Sequence, residues 1–539
     1  MQYFDSFGVM IDCSRDAVPS VNGLKRFIDT ISKMGYNVAM LYTEDTYEVE
    51  NEPYFGYKRG RYSVEELREI DEYAASVGVE LIPFIQTLAH LNQLLRWRAY
   101  RHKIFDIDDI LLIDEPRTYE LLENIFSTLS KTFRSKRVHI GMDEAHHVGL
   151  GKYLDMHGFT DRYALLLKHL KRVCEIAEKY GFESTMMAND LFFNLSPGTF
   201  CTDEVRDFPP EITENMPKNC EMVYWDYFGT HNARYDAMML SSKKLSEKTW
   251  FSGGAWTWNT FTPHNRYSMK RNEIAIESCK RNGVRLAFFT LWGDDGAECA
   301  YEAVLPALMH ASAVARGLSE EEMKKEFLSI TGERFDDMKD LDLPNYIFGE
   351  NVPVESPYFQ HSACNYAKTH LYDDPFLGTM SAALPDVDDS LFTDYADRLH
   401  KLASESKHYG HLYETAACLC DALSKKLLLA KRTRAMYEKG DKQGLLALAE
   451  EDYTECVRRV DIFHKAFRRQ WYAINKTYGF EVHDARLGGL RCRLESCRDR
   501  LIDYAVGKIE EIEELKEPLL PYKDTYVTSW RETISANIV

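Results

Sequence analysis

The stretch Val138-His139-Ile140-Gly141-Met142-Asp143-Glu144-Ala145 sets two carboxylates side by side at the end of a short apolar run. Adjacent acids repel when both are ionised, so a site that keeps both gives them different protonation states. One is expected as a carboxylate and the other as a proton donor, the division of labour in acid catalysis by paired carboxyls. An Asp-Glu pair alone reads more often as a solvated acidic turn. What separates the two readings is the company the pair keeps.

Other apolar runs end in similar groups. In chain order they close on Asp12 and Arg15; on Thr43, Glu44 and Asp45; on His90; on Asn189 and Asp190; on Trp225, Asp226 and Tyr227; on Trp256 and Trp258; and on Trp292, Asp294 and Asp295. Acids stand at most of these ends, with one arginine and one histidine facing them. Trp225, Trp256, Trp258 and Trp292 are half of the chain's 8 tryptophans. Rings beside polar groups suit a ligand with apolar faces and hydroxyl-rich edges. A sugar has that form: its C–H faces stack on rings, while carboxylates and Arg engage vicinal hydroxyls through paired hydrogen bonds.

These residues need a frame that gathers run ends in one place. Eight strand candidates alternate with amphipathic segments over residues 1–315: Phe7–Cys13, Asn37–Tyr42, Glu80–Ile85, Val138–Met142, Glu183–Ala188, Met222–Trp225, Thr249–Ala255 and Arg285–Leu291. Val64–Ser76 and Asp161–Tyr180 are expected helices between them, the second closed by Gly181. This rhythm predicts an α/β fold, a (β/α)8 TIM barrel, whose active residues sit at the C-terminal strand ends. A doubly wound sheet is the alternative, but Asp12-Cys13-Ser14-Arg15 stands where its glycine-rich phosphate loop would follow the first strand. From about Gly317 the pattern turns helical, and residues 316–539 are expected as an α-helical C-terminal domain. Ser319-Glu320-Glu321-Glu322 opens a helix; Ala422–Tyr437, Leu445–Lys465 and Gly488–Leu515 are long helices; Leu341–Pro375 is an irregular connection. The expected task of this half is packing, as a brace or a homodimer interface.

Bulk properties exclude some classes. A formal net charge of −19 disfavours nucleic acid as a partner. No leader and no membrane-length apolar run is visible, so no membrane partner is expected. The 12 cysteines are scattered without a C-x-x-C pair, which fits reduced thiols and a cytoplasmic protein. No cofactor and no metal ion is expected.

Taken together the motifs resemble glycoside hydrolase family 20, the β-N-acetylhexosaminidases. The family's His/Asn-x-Gly-x-Asp-Glu signature is met by His139 to Glu144, its Asp-x-x-Arg by Asp12 to Arg15, its third-strand histidine by His90, and its Trp-Gly-acid by Trp292-Gly293-Asp294. Asp143 to His147 and Gly254 to Trp258 resemble a bacterial subgroup with a barrel and a helical C-terminal domain. Ile82-Pro83-Phe84-Ile85-Gln86 departs from the usual acidic third-strand motif, and Asp294 stands where most members have Glu. The resemblance implies a small oligosaccharide or glycoconjugate substrate bearing a 2-acetamido group, whose carbonyl oxygen acts as the nucleophile. It further implies Glu144 as acid and base, Asp143 as the ionised partner of the acetamide, and Tyr227 as its hydroxyl donor, with Tyr224 the alternative. Arg15, His90, Asp190, Trp225, Trp256, Trp292 and Asp294 would bind the sugar. Two other readings use the same residues: a metal-dependent barrel hydrolase built on His139, Asp143, Glu144, His146 and His147, and a non-catalytic sugar-binding protein.

Overall fold

Eight short strands, buried along nearly their whole length, pair in chain order and close into a parallel barrel in the computed structural model. They are β1 (Ser6–Asp12), β2 (Val38–Tyr42), β3 (Glu80–Phe84), β4 (Arg137–His139), β5 (Ser184–Ala188), β6 (Cys220–Trp225), β7 (Thr249–Gly254) and β8 (Leu286–Leu291). The structure describes residues 3–195, 201–349, 366–378, 380, 387, 388, 390–520, 529–535 and 537. Parallel pairing demands a crossover after each strand, and helices such as Val21–Lys33, Val64–Ser76, Pro116–Thr132 and Arg162–Lys179 provide it. Their starts are set locally. Ser63 and Glu66 exchange side-chain and backbone bonds in a capping box, and Asp161 accepts the Ala164 N–H at 2.9 Å.

The strands' N-terminal ends are plugged by a polar cluster. Arg137 donates to Glu80 at 3.1 Å and to Ser6 at 3.1 Å, and its guanidinium lies over the Trp250 ring. Glu221 accepts from Ser184 at 2.7 Å and from the Trp250 indole at 2.6 Å. At the other end one register line runs Asp12–Tyr42–Phe84–His139–Met186. It brings the polar residues that follow these strands to a common level.

All eight strands fall on their expected runs, with ends shifted by up to three residues. β4 differs most: it stops at His139, not Met142. Gly141 and Met142 both take left-handed backbone, φ +69° and +70°, which ends extended pairing.

The chain divides into two units. The first comprises 1–255, 268–291 and 308–326; the second comprises 256–267, 292–307 and 327–539. The second unit is helical, with Gly410–Lys426, Leu429–Glu438, Thr454–Ile474 and Phe480–Ala505 among its helices. The single helix expected over Ala422–Tyr437 is instead split at Leu427-Leu428. The one expected over Leu445–Lys465 begins at Lys442, passes through a π-helical turn at Ala449–Tyr453, and runs on to Ile474. The last starts at Phe480 rather than Gly488 and ends at Ala505. Within Leu341–Pro375, the residues Tyr366–Tyr372 form a helix, and 350–365 lie outside the described residues. Lys368 is buried in this unit, 2.8 Å from Asp295 and 2.7 Å from Glu298, and Arg486 reaches Glu298 at 3.0 Å. Among the described residues no helix is long and apolar enough to cross a membrane.

Candidate active site

The loops that follow β1, β2, β3, β4 and β5 meet in one hydrogen-bonded group. Asp12, the last residue of β1, accepts from the Ser14 N–H at 2.8 Å, the Ser14 hydroxyl at 2.7 Å and Arg15 at 3.1 Å. This turn aims the Arg15 guanidinium over the Tyr42 ring and to within 3.4 Å of Glu44. Glu44 is buried, which pushes its carboxyl up to about 7 even with Arg15 beside it.

Gln86 is the hub. Its amide oxygen accepts the Met142 N–H at 3.1 Å, and its nitrogen donates to the Tyr42 hydroxyl at 3.0 Å and to Asp143 at 2.8 Å. The hub permits no side chain at Gly141. A Cβ there would stand 2.1 Å from the Gln86 oxygen and 2.7 Å from the Ile85 carbonyl oxygen. His90 completes the clamp on Asp143 with an ion pair at 3.1 Å, and reaches Glu144 at 3.5 Å. Burial alone would raise the Asp143 carboxyl, but His90 and Gln86 outweigh it and hold it well below the usual range. Burial likewise opposes a charge on His90, and Asp143 overrides it, lifting the imidazole to about 10. Asp143 is therefore a carboxylate bound to an imidazolium.

Glu144 projects outward, with 50% of its side chain exposed. Its backbone is left-handed, φ +55°, and its N–H donates to Asp190 at 2.9 Å. Asp190 opens the turn after β5 and is wholly buried. Burial first, and the charge of Asp143 second, push its carboxyl up to about 8. So the carboxyl that its surroundings keep protonated is Asp190.

After β6 the Trp225 and Tyr227 rings stack at 5.3 Å. Tyr224 lies one residue out of phase with Trp225 along the strand and points to the other face. It packs on Tyr235, and its hydroxyl donates to Asp226, which Arg234 clamps at 2.6 and 2.9 Å. The residues after β7 and β8 belong to the second unit. There Trp256 is buried, stacked on Trp258 at 3.9 Å, with its indole N–H on the Trp258 carbonyl at 2.9 Å. The Thr257 hydroxyl donates to the Trp292 carbonyl at 2.7 Å, and the Asn259 N–H to the Asp294 carbonyl at 3.1 Å. Loop to loop, Trp256, Trp292 and Asp294 are thus tied together.

The expected residues accordingly fall into three sets: Arg15, His90, Asp143, Glu144 and Asp190 in one network, Trp225 with Tyr227, and Trp256 with Trp292 and Asp294. His139 joins none of them. It packs in the barrel core against Phe84, and burial drops its imidazole to about 3. His147 pairs with Asp108 at the surface. Sequence reasoning overlooked Tyr42 and Gln86 as site residues. Gln86 was visible only as a departure from an acidic motif, and Tyr42 read as the last residue of an apolar strand.

Two family models match parts of the chain. Residues 4–157 match the model of the glycosyl hydrolase family 20 catalytic domain, and residues 349–534 match that of the glycoside hydrolase 20C C-terminal domain. Hexosaminidase D of Bos taurus is 22% identical over 281 residues, covering 50% of this chain and 75% of its own. Hexosaminidase D of Homo sapiens is 23% identical over 223 residues, covering 40% of this chain and 43% of its own, so less than half of the human protein is matched. A solved exo-β-N-acetylglucosaminidase from Vibrio harveyi is 15% identical, with a TM-score of 0.46 over 61% of this chain and 57% of that one.

Proposed function

Because this chain belongs to glycoside hydrolase family 20, we propose that it is an exo-acting β-N-acetylhexosaminidase, releasing terminal N-acetylglucosamine or N-acetylgalactosamine with retention. The observation that carries this reading is the asymmetry of the acid pair. Asp143 is fixed and ionised by His90 and Gln86, while its neighbour Glu144 stands half exposed. One carboxylate is shaped to hold charge, the other to exchange a proton.

In the proposed reaction Glu144 gives its proton to the glycosidic oxygen as the bond to the anomeric carbon breaks. The substrate's acetamide oxygen attacks that carbon, forming a cyclic oxazolinium. This substrate-assisted route sets family 20 apart from glycosidases with an enzyme nucleophile. Asp143 accepts the acetamide N–H and balances the positive charge of the ring. Glu144 then takes a proton from water, which attacks the anomeric carbon from the face the leaving group vacated and breaks the ring's bond to the acetamide oxygen. Tyr227 is the better hydroxyl for the acetamide oxygen, since that of Tyr224 is already committed to Asp226. Arg15 takes outer sugar hydroxyls, and Trp225 supplies a ring face. The buried free thiols, Cys13, Cys174 and Cys279 among them, fit a cytoplasmic enzyme.

The test is a set of aryl N-acetyl-β-glucosaminides of rising leaving-group pKa, followed before steady state. Glu144→Ala is expected to slow cleavage of basic leaving groups by ~10²–10⁴-fold and to spare dinitrophenolate. Asp143→Ala is expected to be equally impaired with every leaving group, because every substrate uses its acetamide. A thiazoline mimic of the intermediate should bind at least ~10²-fold more tightly than N-acetylglucosamine. Equal cleavage of aryl glucosides that lack the acetamide would overturn the mechanism.

A further inference from the structure

Three aromatic side chains outside the acid network touch one another at the surface. Tyr54 and Tyr57 lie on the loop after β2 and are 44% and 41% exposed. Trp97, half-buried, follows β3. The Trp97 ring lies 5.6 Å from Tyr54 and 5.5 Å from Tyr57, and the two tyrosines are 5.9 Å apart. Lys58 lies over the Tyr57 ring and Arg96 over that of Trp97, so cationic donors rim the cluster.

The loop that carries the tyrosines is built to stand where it does. Arg59 pairs with buried Asp45 at 3.0 Å and donates to the Ser14 carbonyl, beside Arg15. Gly56 packs so closely under Asp45 that a Cβ would meet the Asp45 carbonyl oxygen at 2.1 Å. Through this anchor Tyr54 and Tyr57 are tied to the residue next to Glu44. Trp97 is linked to the network through the chain. It lies seven positions beyond His90, and the short helix Asn92–Leu95 spans the gap. Two neighbouring strand ends thus give residues to the acid network and, further out, rings to a shared patch.

We propose that Tyr54, Tyr57 and Trp97 form a binding platform for the part of the substrate that leaves, a sugar unit on the reducing side of the bond cleaved. The inference rests on the proposed hydrolase activity. Glu144 marks the leaving side, since it protonates the departing oxygen, and His90 beside it shares its loop with Trp97. The chemistry of the patch matches the occupant: exposed ring faces for C–H surfaces, and Lys58, Arg96 and the two phenols for hydroxyls.

The experiment compares two substrates on the full-length protein, a β-linked trisaccharide of N-acetylglucosamine and the methyl β-N-acetylglucosaminide. Trp97→Ala is expected to raise KM for the trisaccharide about tenfold, against a change below about twofold for the methyl glycoside. Tyr54→Ser and Tyr57→Ser, at exposed positions, are expected to act in the same direction. Equal effects on both substrates, or none on either, would overturn the platform while leaving the proposed activity intact. A parent protein that cleaves neither substrate would instead overturn the activity, and the platform with it. Self-association of the parent that the tyrosine variants abolish, with KM unmoved, would assign the rings to a second copy of the chain and overturn the proposal.

Discussion

Asp190 shows how a buried carboxyl can fix the backbone of a neighbouring acid. Its carboxyl accepts the Glu144 N–H and holds that residue in left-handed backbone. Its raised pKa has a measurable cost. In the unfolded chain an aspartate titrates near 4, and in the folded protein near 8. Below about 4 both states hold the proton, and Asp190 has its full stabilising effect. Between about 4 and 8 the unfolded chain sheds the proton while the folded one keeps it, so stability falls as pH rises. Asp190→Asn keeps an oxygen for Glu144 and removes the titration. The variant should therefore gain on the parent in urea midpoint from pH 5 to pH 8. A gap that stays constant or narrows would show that Asp190 is ionised when folded. Legibility at this scale was uneven. Asp143, Glu144, Arg15 and His90 could be read because their types and order are themselves the signal. Gln86 could not, since an amide after an apolar strand has no chemistry until the fold sets it against an acid.

At the scale of elements, strands were easier to read than helices. An eight-strand barrel needs short buried runs at regular intervals, and each run announces itself. Helix ends depend more on packing. Leu427-Leu428 lies in an apolar run with neither glycine nor proline, so nothing local marks the break there. Gly488-Gly489 invited a boundary, yet the helix from Phe480 runs through both, carried by buried Leu487, Leu490 and Leu494. The strand end at β4 is the element on which the chemistry turns. Gly141→Ala would force a Cβ into the Gln86 amide and the Ile85 carbonyl. A cost of about 1–3 kcal/mol in stability is expected, the scale of a strained backbone position. Since Gln86 also holds Asp143, kcat should fall even at temperatures where the variant is fully folded. A folded variant with parental kcat would show that the Gln86 contact does not position the acid.

At the scale of the whole molecule, residues 4–157 match the family 20 catalytic-domain model and residues 349–534 match a C-terminal-domain model of their own. The second unit keeps a buried charge cluster of Lys368, Arg486, Asp295 and Glu298. Removing one cation from such a set strands the acids in low dielectric. Lys368→Met should lower stability by about 3–5 kcal/mol in denaturant titrations. Parental stability would mean that Glu298, which burial raises to about 6, takes up a proton and needs no partner. Asp295 follows Asp294 in the 292–307 segment, so the chain of the second unit is interleaved in sequence with that of the first. That interleaving bears on how the chain can be divided. The second unit gathers its chain from 256–267, 292–307 and 327–539, and no single cut in the gene releases either unit whole. A gene ending at residue 315 would still encode Asp295 and Glu298 but neither Lys368 nor Arg486. A truncation there would leave two acids without their cations, so the barrel strands are not expected to yield a stable fragment by a single cut.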